Sequence, residues 1–191
     1  TPPELFNPRS FSIYDDNFYS SEFSPLKQNL IDIKPIQQDV RTHYNGISNL
    51  TKMLWLQYQC LALKKEHEFK NNQKYDIVFK SRPQAVYDIG FVESISFEKL
   101  LTENPDGNFV CANIMTLDKP FPAIKDKGVF GGNLGIDRYM SAFAHLQRLY
   151  LNDWPSGEVA HAETLLELGV KIINIPEFVG LTNNSSPGFI R

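Results

Sequence analysis

The sequence predicts an α/β domain with a mixed, largely parallel sheet flanked by helices. Three observations point there. Short apolar runs, "YDIVF" (75–79), "FVCANIM" (109–115) and "VKIINIP" (170–176), have the length and the β-branched or aromatic content of strands. Longer segments near 50–69, 136–151 and 158–168 space their apolar residues at helical intervals. The two kinds of segment alternate along the chain, the order that builds layered α/β domains.

Taken in order, residues 1–27 are rich in Pro, Ser, Asn, Asp and aromatics without a sustained period, and predict an irregular arm ahead of a single domain over 28–191. "NLIDIKPI" (29–36) has the pattern of a short strand stopped by Pro35, and 37–47 is polar, ending at the turn signal Asn45-Gly46. Ser48 or Asn49 can cap a helix over 50–69, with Leu50, Met53, Leu54, Tyr58, Leu61 and Ala62 on one face. A strand over 75–80, a short helix over 94–101, the turn "ENPDGN" and a buried strand at 109–115 follow. Residues 118–128 form a proline-broken loop. "VFGGNLG" then leads into a helix from Ile136 to Leu151, with Ile136, Met140, Phe143, Gln147 and Tyr150 along one side. A helix over 158–168, ended by Gly169, a strand over 170–176 and a loop-like tail complete the chain.

Composition narrows the classes of function. The 191 residues are 42% hydrophobic and 21% charged, a globular profile, and the net charge of −3 supplies no basic footprint for general nucleic-acid binding. No apolar run reaches the roughly 18 residues that a spanning helix needs, and Thr1 opens no signal-peptide pattern. Cys60 and Cys111 lie far apart and outside any C-x-x-C spacing; two buried free thiols are expected, a single disulfide being the other reading.

The chemistry concentrates in "KYDIVFKSRPQAVYD" (74–88). In a strand, Asp76, Val78, Lys80 and Arg82 share one face and Tyr75, Ile77, Phe79 and Ser81 the other. The second set suits a core. The first places two cations at the C-terminal end of a strand, where open α/β sheets collect ligands. An Arg fork beside a Lys point charge suits a phosphate or diphosphate. The plainer reading is a strand end that is wet, or paired with nearby carboxylates. Gly131 and Gly132 permit close backbone approach to a sugar, or simply a tight lead into the next helix. Asp137 falls near that helix's N-terminus, where a carboxylate is favourable.

Three spaced blocks over residues 45–176 carry a resemblance. The helix-to-strand stretch from Asn49 to Gln84, with Tyr75, Asp76, Val78 and Arg82, resembles the Tyr-Asp-x-Val-Ile-Arg-x-Arg-x-Asp strand of a glycosyltransferase-like family, Lys80 replacing the first Arg. Members of that family are found in polysaccharide and lipopolysaccharide synthesis in bacteria and in large viruses. "DKGVFGGNLGIDRYMSAFAHLQRLY" (126–150) is similar to its glycine turn and amphipathic helix, and "HAETLLELGVKIINI" (161–175) to its His-Pro-Glu helix and final strand, with Ala162 in place of Pro.

The resemblance implies a GT-A-type fold and transfer of a sugar from a nucleotide-sugar donor to a glycan hydroxyl. Lys80, Arg82 and Gln84 would face the donor diphosphate, Glu163 and Asp126 would serve catalysis, and His161 and Gly131 would meet the acceptor. Such enzymes commonly hold Mn²⁺ or Mg²⁺ on an Asp-x-Asp motif, which this chain lacks; Gln84 also stands where the family has an acid. Lys80 and Arg82 in place of a metal, a ligand from Asp88 or Asp126, and loss of catalysis are the three ways to reconcile this. Residues 1–44 do not read as the β-α-β unit that opens a GT-A fold, so the nucleotide half is expected to be absent or supplied by another segment. The resemblance implies a cytoplasmic, membrane-peripheral or viral setting. A non-catalytic carbohydrate- or protein-binding domain on the same scaffold is the rival, with Trp55, Trp154 and eight tyrosines available to stack on sugars.

Overall fold

A computed structural model describes residues 40–82, 85–115, 123–146 and 157–181. The arm, the expected strand at 29–36 and Gln84 lie outside the described residues. The elements are α1 (Val40–Asn71), β1 (Ile77–Ser81), β2 (Ala85–Tyr87), α2 (Ile89–Ser94), α3 (Phe97–Glu103), β3 (Phe109–Ala112), β4 (Ile114–Met115), β5 (Ala123–Ile124), β6 (Gly128–Gly132), α4 (Asn133–Met140), a 3-10 turn (Ser141–His145), α5 (Gly157–Glu167), β7 (Lys171–Asn174) and β8 (Val179–Leu181).

Four strands form the main sheet in the order β1-β6-β3-β7. The sheet is mixed, as expected, but not largely parallel. β6 runs antiparallel to both β1 and β3, and only β3 and β7 run parallel among the described strands. The reason lies in "GVFGG": its glycines read as a turn, so the strand that reverses direction in mid-sheet is missing from a count of apolar runs. Two small antiparallel pairs, β2 with β8 and β4 with β5, flank it.

Helices cover both faces, and the alternation of side chains along each strand divides the core in two. Val78, Val110, Ala112, Val129 and Ile172 pack with Leu61 of α1, Ile136, Tyr139 and Met140 of α4, and Ala162 and Leu165 of α5. On the other face, Ile77, Phe109, Cys111, Phe130 and Ile173 meet the apolar residues of α2 and α3 together with Phe178 and Val179. The split expected for 75–82 is therefore present: Val78 goes one way and Ile77 the other. Phe79, expected in the core, is 41% exposed because β1 ends the sheet, although its ring still stacks on Phe130 at 5.0 Å.

α1 begins about ten residues before its expected cap, so Ser48 and Asn49 lie inside it. One helical Gly costs about 1 kcal/mol, too little for Asn45-Gly46 to end a helix whose later turns are anchored by packing. Leu50, Met53 and Leu54 pack against Ala142, Leu146 and Ala160. The expected helix at 94–101 is two helices broken at Ile95-Ser96, with Ser96 capping α3 through the amide of Lys99. No helix among the described residues is long and apolar enough to cross a membrane.

Candidate functional site: the cleft between α1 and β1

A cleft of about 870 Å³ runs between α1 and β1. Lys52, Met53, Leu56, Gln57, Cys60 and Lys64 of the helix face Tyr75 and the whole of β1, with Arg82 at one end and Met140 at its floor. It has the volume of a small-molecule site. Four of its lining residues are cations and none is acidic, among the described residues. The remaining wall is mostly apolar, so the cleft suits an anion that also carries an apolar or aromatic body.

Lys80 and Arg82 project from the same face of β1 and converge on Asp126, in the turn between β5 and β6. Arg82 Nη2 donates to Asp126 Oδ2 at 2.5 Å, and Lys80 Nζ donates to the main-chain carbonyl of the same residue. The Asp126 side chain is 5% exposed, that of Arg82 40%. The turn is clamped from outside. Lys125 and Lys127 both reach Glu177, whose carboxyl their hydrogen bonds hold below its ordinary range, and the Lys125 amide donates to Asn113 at 2.9 Å. Lys-Asp-Lys is thus read alternately, with the two lysines turned outward and the acid inward. The plainer reading of the strand end, pairing with a carboxylate, holds for Arg82. Its guanidinium still has further donors, and Lys80 has two more.

Behind Lys80 the site is dry. Its Nζ lies 6.0 Å from the centre of the Tyr139 ring, and His161 stacks on that ring with 3.9 Å between centres. Both aromatic residues are fully buried. His161 Nδ1 lies 3.2 Å from the Tyr139 carbonyl, while His161 Nε2 and Tyr139 Oη have no hydrogen-bond partner among the described residues. Burial, helped by the charge of Lys80, pushes the His161 pKa down to about 3, so the ring is neutral at ordinary pH. Burial first, then Asp126 and Glu158, pushes the Tyr139 hydroxyl well up. Burial also brings the Lys80 ammonium down to about 8, against the pull of Asp126 and with the push of Arg82.

The expected site residues are distributed unevenly. Lys80, Arg82, Asp126 and His161 come together. Glu163 does not join them: it is half-buried on α5, two residues beyond His161 and so on another side of the helix, and it does not line the cleft. Gly131 is sealed in the sheet, where a Cβ would lie 3.0 Å from Val110 Cα and closer still to the Phe109 carbonyl. Neither Gly131 nor His161 offers an accessible surface to an acceptor. Asp88 is the N-cap of α2, its Oδ1 accepting from the Phe91 amide at 3.0 Å. Two participants escaped sequence reasoning. Glu158 stands one turn before His161, close enough to raise the Lys80 pKa, and the buried Tyr139 ring lies 6.0 Å from Lys80 Nζ. The i, i+3 spacing of Glu158 and His161 was a usable signal.

The residues present do not fit a divalent ion at this site. Hard cations need several carboxylate or carbonyl oxygens, whereas Asp126 already accepts from Arg82 and faces Lys80. Among the described residues, no group of three or more His, Cys, Asp or Glu side chains is arranged to hold a metal.

Of the two thiols, Cys111 is buried on β3 and pushed up to about 12 by burial, while Cys60 is exposed on α1, at the cleft, rather than buried as expected. A thiol-reactive chromophore is expected to titrate Cys60 in the native protein and Cys111 only after unfolding. Two equally fast thiols would contradict the burial of β3. No family model matches the chain, and no curated protein matches it.

Proposed function

We propose that the cleft between α1 and β1 binds the diphosphate of a nucleotide-sugar, and that the protein is a GT-A-like glycosyltransferase acting on a glycan hydroxyl. One observation carries this reading: Lys80 and Arg82, singled out by their place at the strand end, both open onto a cleft lined by four cations and no acid among the described residues. Departure of a nucleoside diphosphate builds up negative charge, and fixed cations in a partly dry wall stabilise it without reorganising. Lys80 and Arg82 would then do the electrostatic work of a metal. Tyr75 and the apolar side chains of α1 offer a surface for the base or sugar. Asp126, held in place by Arg82, would orient the cations, and Asp126 or Glu158, the two carboxylates that act on Lys80, would serve an acceptor.

The first test is thermal melting with UDP and GDP, with and without Mn²⁺. A ligand at 100 times its Kd stabilises by about 2.7 kcal/mol. Wild type is expected to melt higher with nucleoside diphosphate in the absence of Mn²⁺. In the Lys80→Ala/Arg82→Ala double variant that increment, read against the variant's own unliganded melting point, is expected to vanish. An undiminished increment would remove the diphosphate assignment. A rise with oligosaccharide alone, and none with nucleotide, would favour the non-catalytic carbohydrate-binding reading.

The reading also predicts a pH dependence. Lys80 is a cation below about pH 8 and loses its charge above it. Nucleotide affinity is expected to be highest below pH 8 and to fall as pH rises through that value. For the unliganded protein the sign is opposite. A lysine whose folded pKa is lowered costs stability while charged, and that cost is relieved as pH rises from about 8 towards 10.5.

A further inference from the structure

We propose that Lys80 is also an amine nucleophile, whose Nζ forms a reversible imine with an anionic aldehyde held in the α1–β1 cleft by Arg82. This use of the cleft goes beyond nucleotide binding and does not depend on it.

The geometry separates Lys80 from an ordinary surface lysine in three ways. Its amine opens into a cleft large enough for a small phosphorylated or carboxylated compound. The acid beside it, Asp126, gives its carboxylate to Arg82 and only its main-chain carbonyl to Lys80, a neutral acceptor that a free amine can also satisfy. The surface behind it is the Tyr139 ring, backed by neutral His161. The charged groups acting on the amine are Arg82, which opposes its protonation, and Asp126 and Glu158, which favour it. Burial outweighs the two acids and brings the amine to about 8. Near neutral pH Lys80 then carries much more free base than an unperturbed lysine. Lowering by burial and by a neighbouring cation is how lysines are made nucleophilic.

The step needs no co-reactant. The Nζ lone pair attacks the carbonyl carbon, and the carbonyl oxygen takes up a proton to give a carbinolamine. That adduct loses one water as the C=N bond forms, and nothing is oxidised or reduced. Arg82, two residues along the same strand face and with its side chain 40% exposed, holds the anionic group while the aldehyde reaches Lys80.

The test uses the whole chain and pyridoxal 5′-phosphate as the probe, at pH 7.5, followed by borohydride reduction and peptide mapping. The expected result is one saturable adduct on Lys80, formed before any other lysine is labelled. Pyridoxal, which lacks the phosphate, is expected to need about tenfold more reagent for the same labelling of Lys80. Labelling should rise with pH through about 8. Lys80→Arg keeps the positive charge and is expected to abolish the saturable phase without altering the circular dichroism. Label spread over surface lysines without preference for Lys80 would overturn the proposal, and so would equal labelling by pyridoxal. Because the wild-type peptide map decides the matter, a variant that failed to fold would not rescue it. Nucleotide binding without Lys80 labelling sinks this inference alone, and labelling without nucleotide binding sinks the diphosphate reading alone.

Discussion

Lys64→Met is expected to cost about 3–5 kcal/mol, because it strands two carboxylates that are nearly out of solvent. Lys64 Nζ donates to Glu68 Oε1 at 2.9 Å, Asn133 Oδ1 at 3.0 Å and Asp137 Oδ1 at 2.8 Å, joining α1 to α4. The side chains of Lys64, Glu68 and Asp137 are only 9%, 7% and 10% exposed. Methionine keeps the apolar stem of Lys64 and removes the charge, which leaves two carboxylates close together with Lys65, half in solvent, the one cation bridging them among the described residues. Adding Asp137→Asn removes one stranded charge and is expected to recover part of the loss; a double-mutant cycle in urea measures the coupling. Additive losses would mean that the three groups do not act as one network.

Acid titration gives an independent reading of the same network. Burial pushes the Glu68 carboxyl up, but hydrogen bonds from Lys64, Asn133 and the Tyr75 amide prevail and hold it below its ordinary value. A lowered carboxylate contributes stability above its unfolded pKa, and loses it as pH falls through the folded one. In Lys64→Met the first of those hydrogen bonds is gone, so the stability gap between wild type and variant is expected to narrow as pH falls and Glu68 is protonated in both.

Gly135→Ala is expected to cost about 3 kcal/mol, with a fall in Tm of roughly 6–12 °C. Gly135, in the first turns of α4, lies flat against β3, and its amide donates to the Gly107 carbonyl at 2.9 Å. A Cβ there would fall 2.6 Å from the Phe109 carbonyl carbon and 2.8 Å from its nitrogen. These are backbone atoms in the middle of the sheet, so α4 would have to lift away from β3. Gly90→Ala is the control. It lies on an exposed turn of α2, where the nearest atom is 3.5 Å away, and alanine is expected to be neutral or mildly stabilising. Equal melting temperatures for the two variants would mean that α4 does not sit this close to the sheet.

What could be read from the sequence was whatever repeats with a period. The two faces of 75–82 follow from alternation, and Val78 and Ile77 enter the two cores accordingly. The apolar stripe of α1 was legible at Leu50, Met53, Leu54 and Leu61, whereas Ala62 of that stripe is exposed and Tyr58 is only partly covered, its ring tilted against Phe143 at 5.9 Å. The covered side of the helix also takes polar residues that an apolar count passes over: Thr51, Gln57 and Glu68 fall at helical spacing with Leu54, Leu61 and Lys64, and Glu68 is drawn in by a partner on another helix. Glycine hid β6, because a strand is recognised by its side chains and this one exists to let other backbones close in. Asp137 looked like a carboxylate placed for a helix terminus, yet it is buried by a lysine 73 positions away. Asp126, a loop acid in sequence that only the resemblance marked for catalysis, meets Lys80 and Arg82 where its turn folds over the end of β1. Pairings between distant charges leave no mark in local sequence, which is why the cations of the site were visible and their acid was weakly so.

The strand order has a kinetic consequence. β1 must find β6 about 50 positions further along the chain, and β3 must find β7 about 60 positions away. None of the main sheet's neighbours is joined by a hairpin turn, so each closure costs loop entropy before any contact repays it. Refolding from urea is therefore expected to take milliseconds to seconds rather than microseconds. During that interval the aromatic face of β1 and β6 stays open to association with other chains, and dilute conditions should favour recovery of the native state.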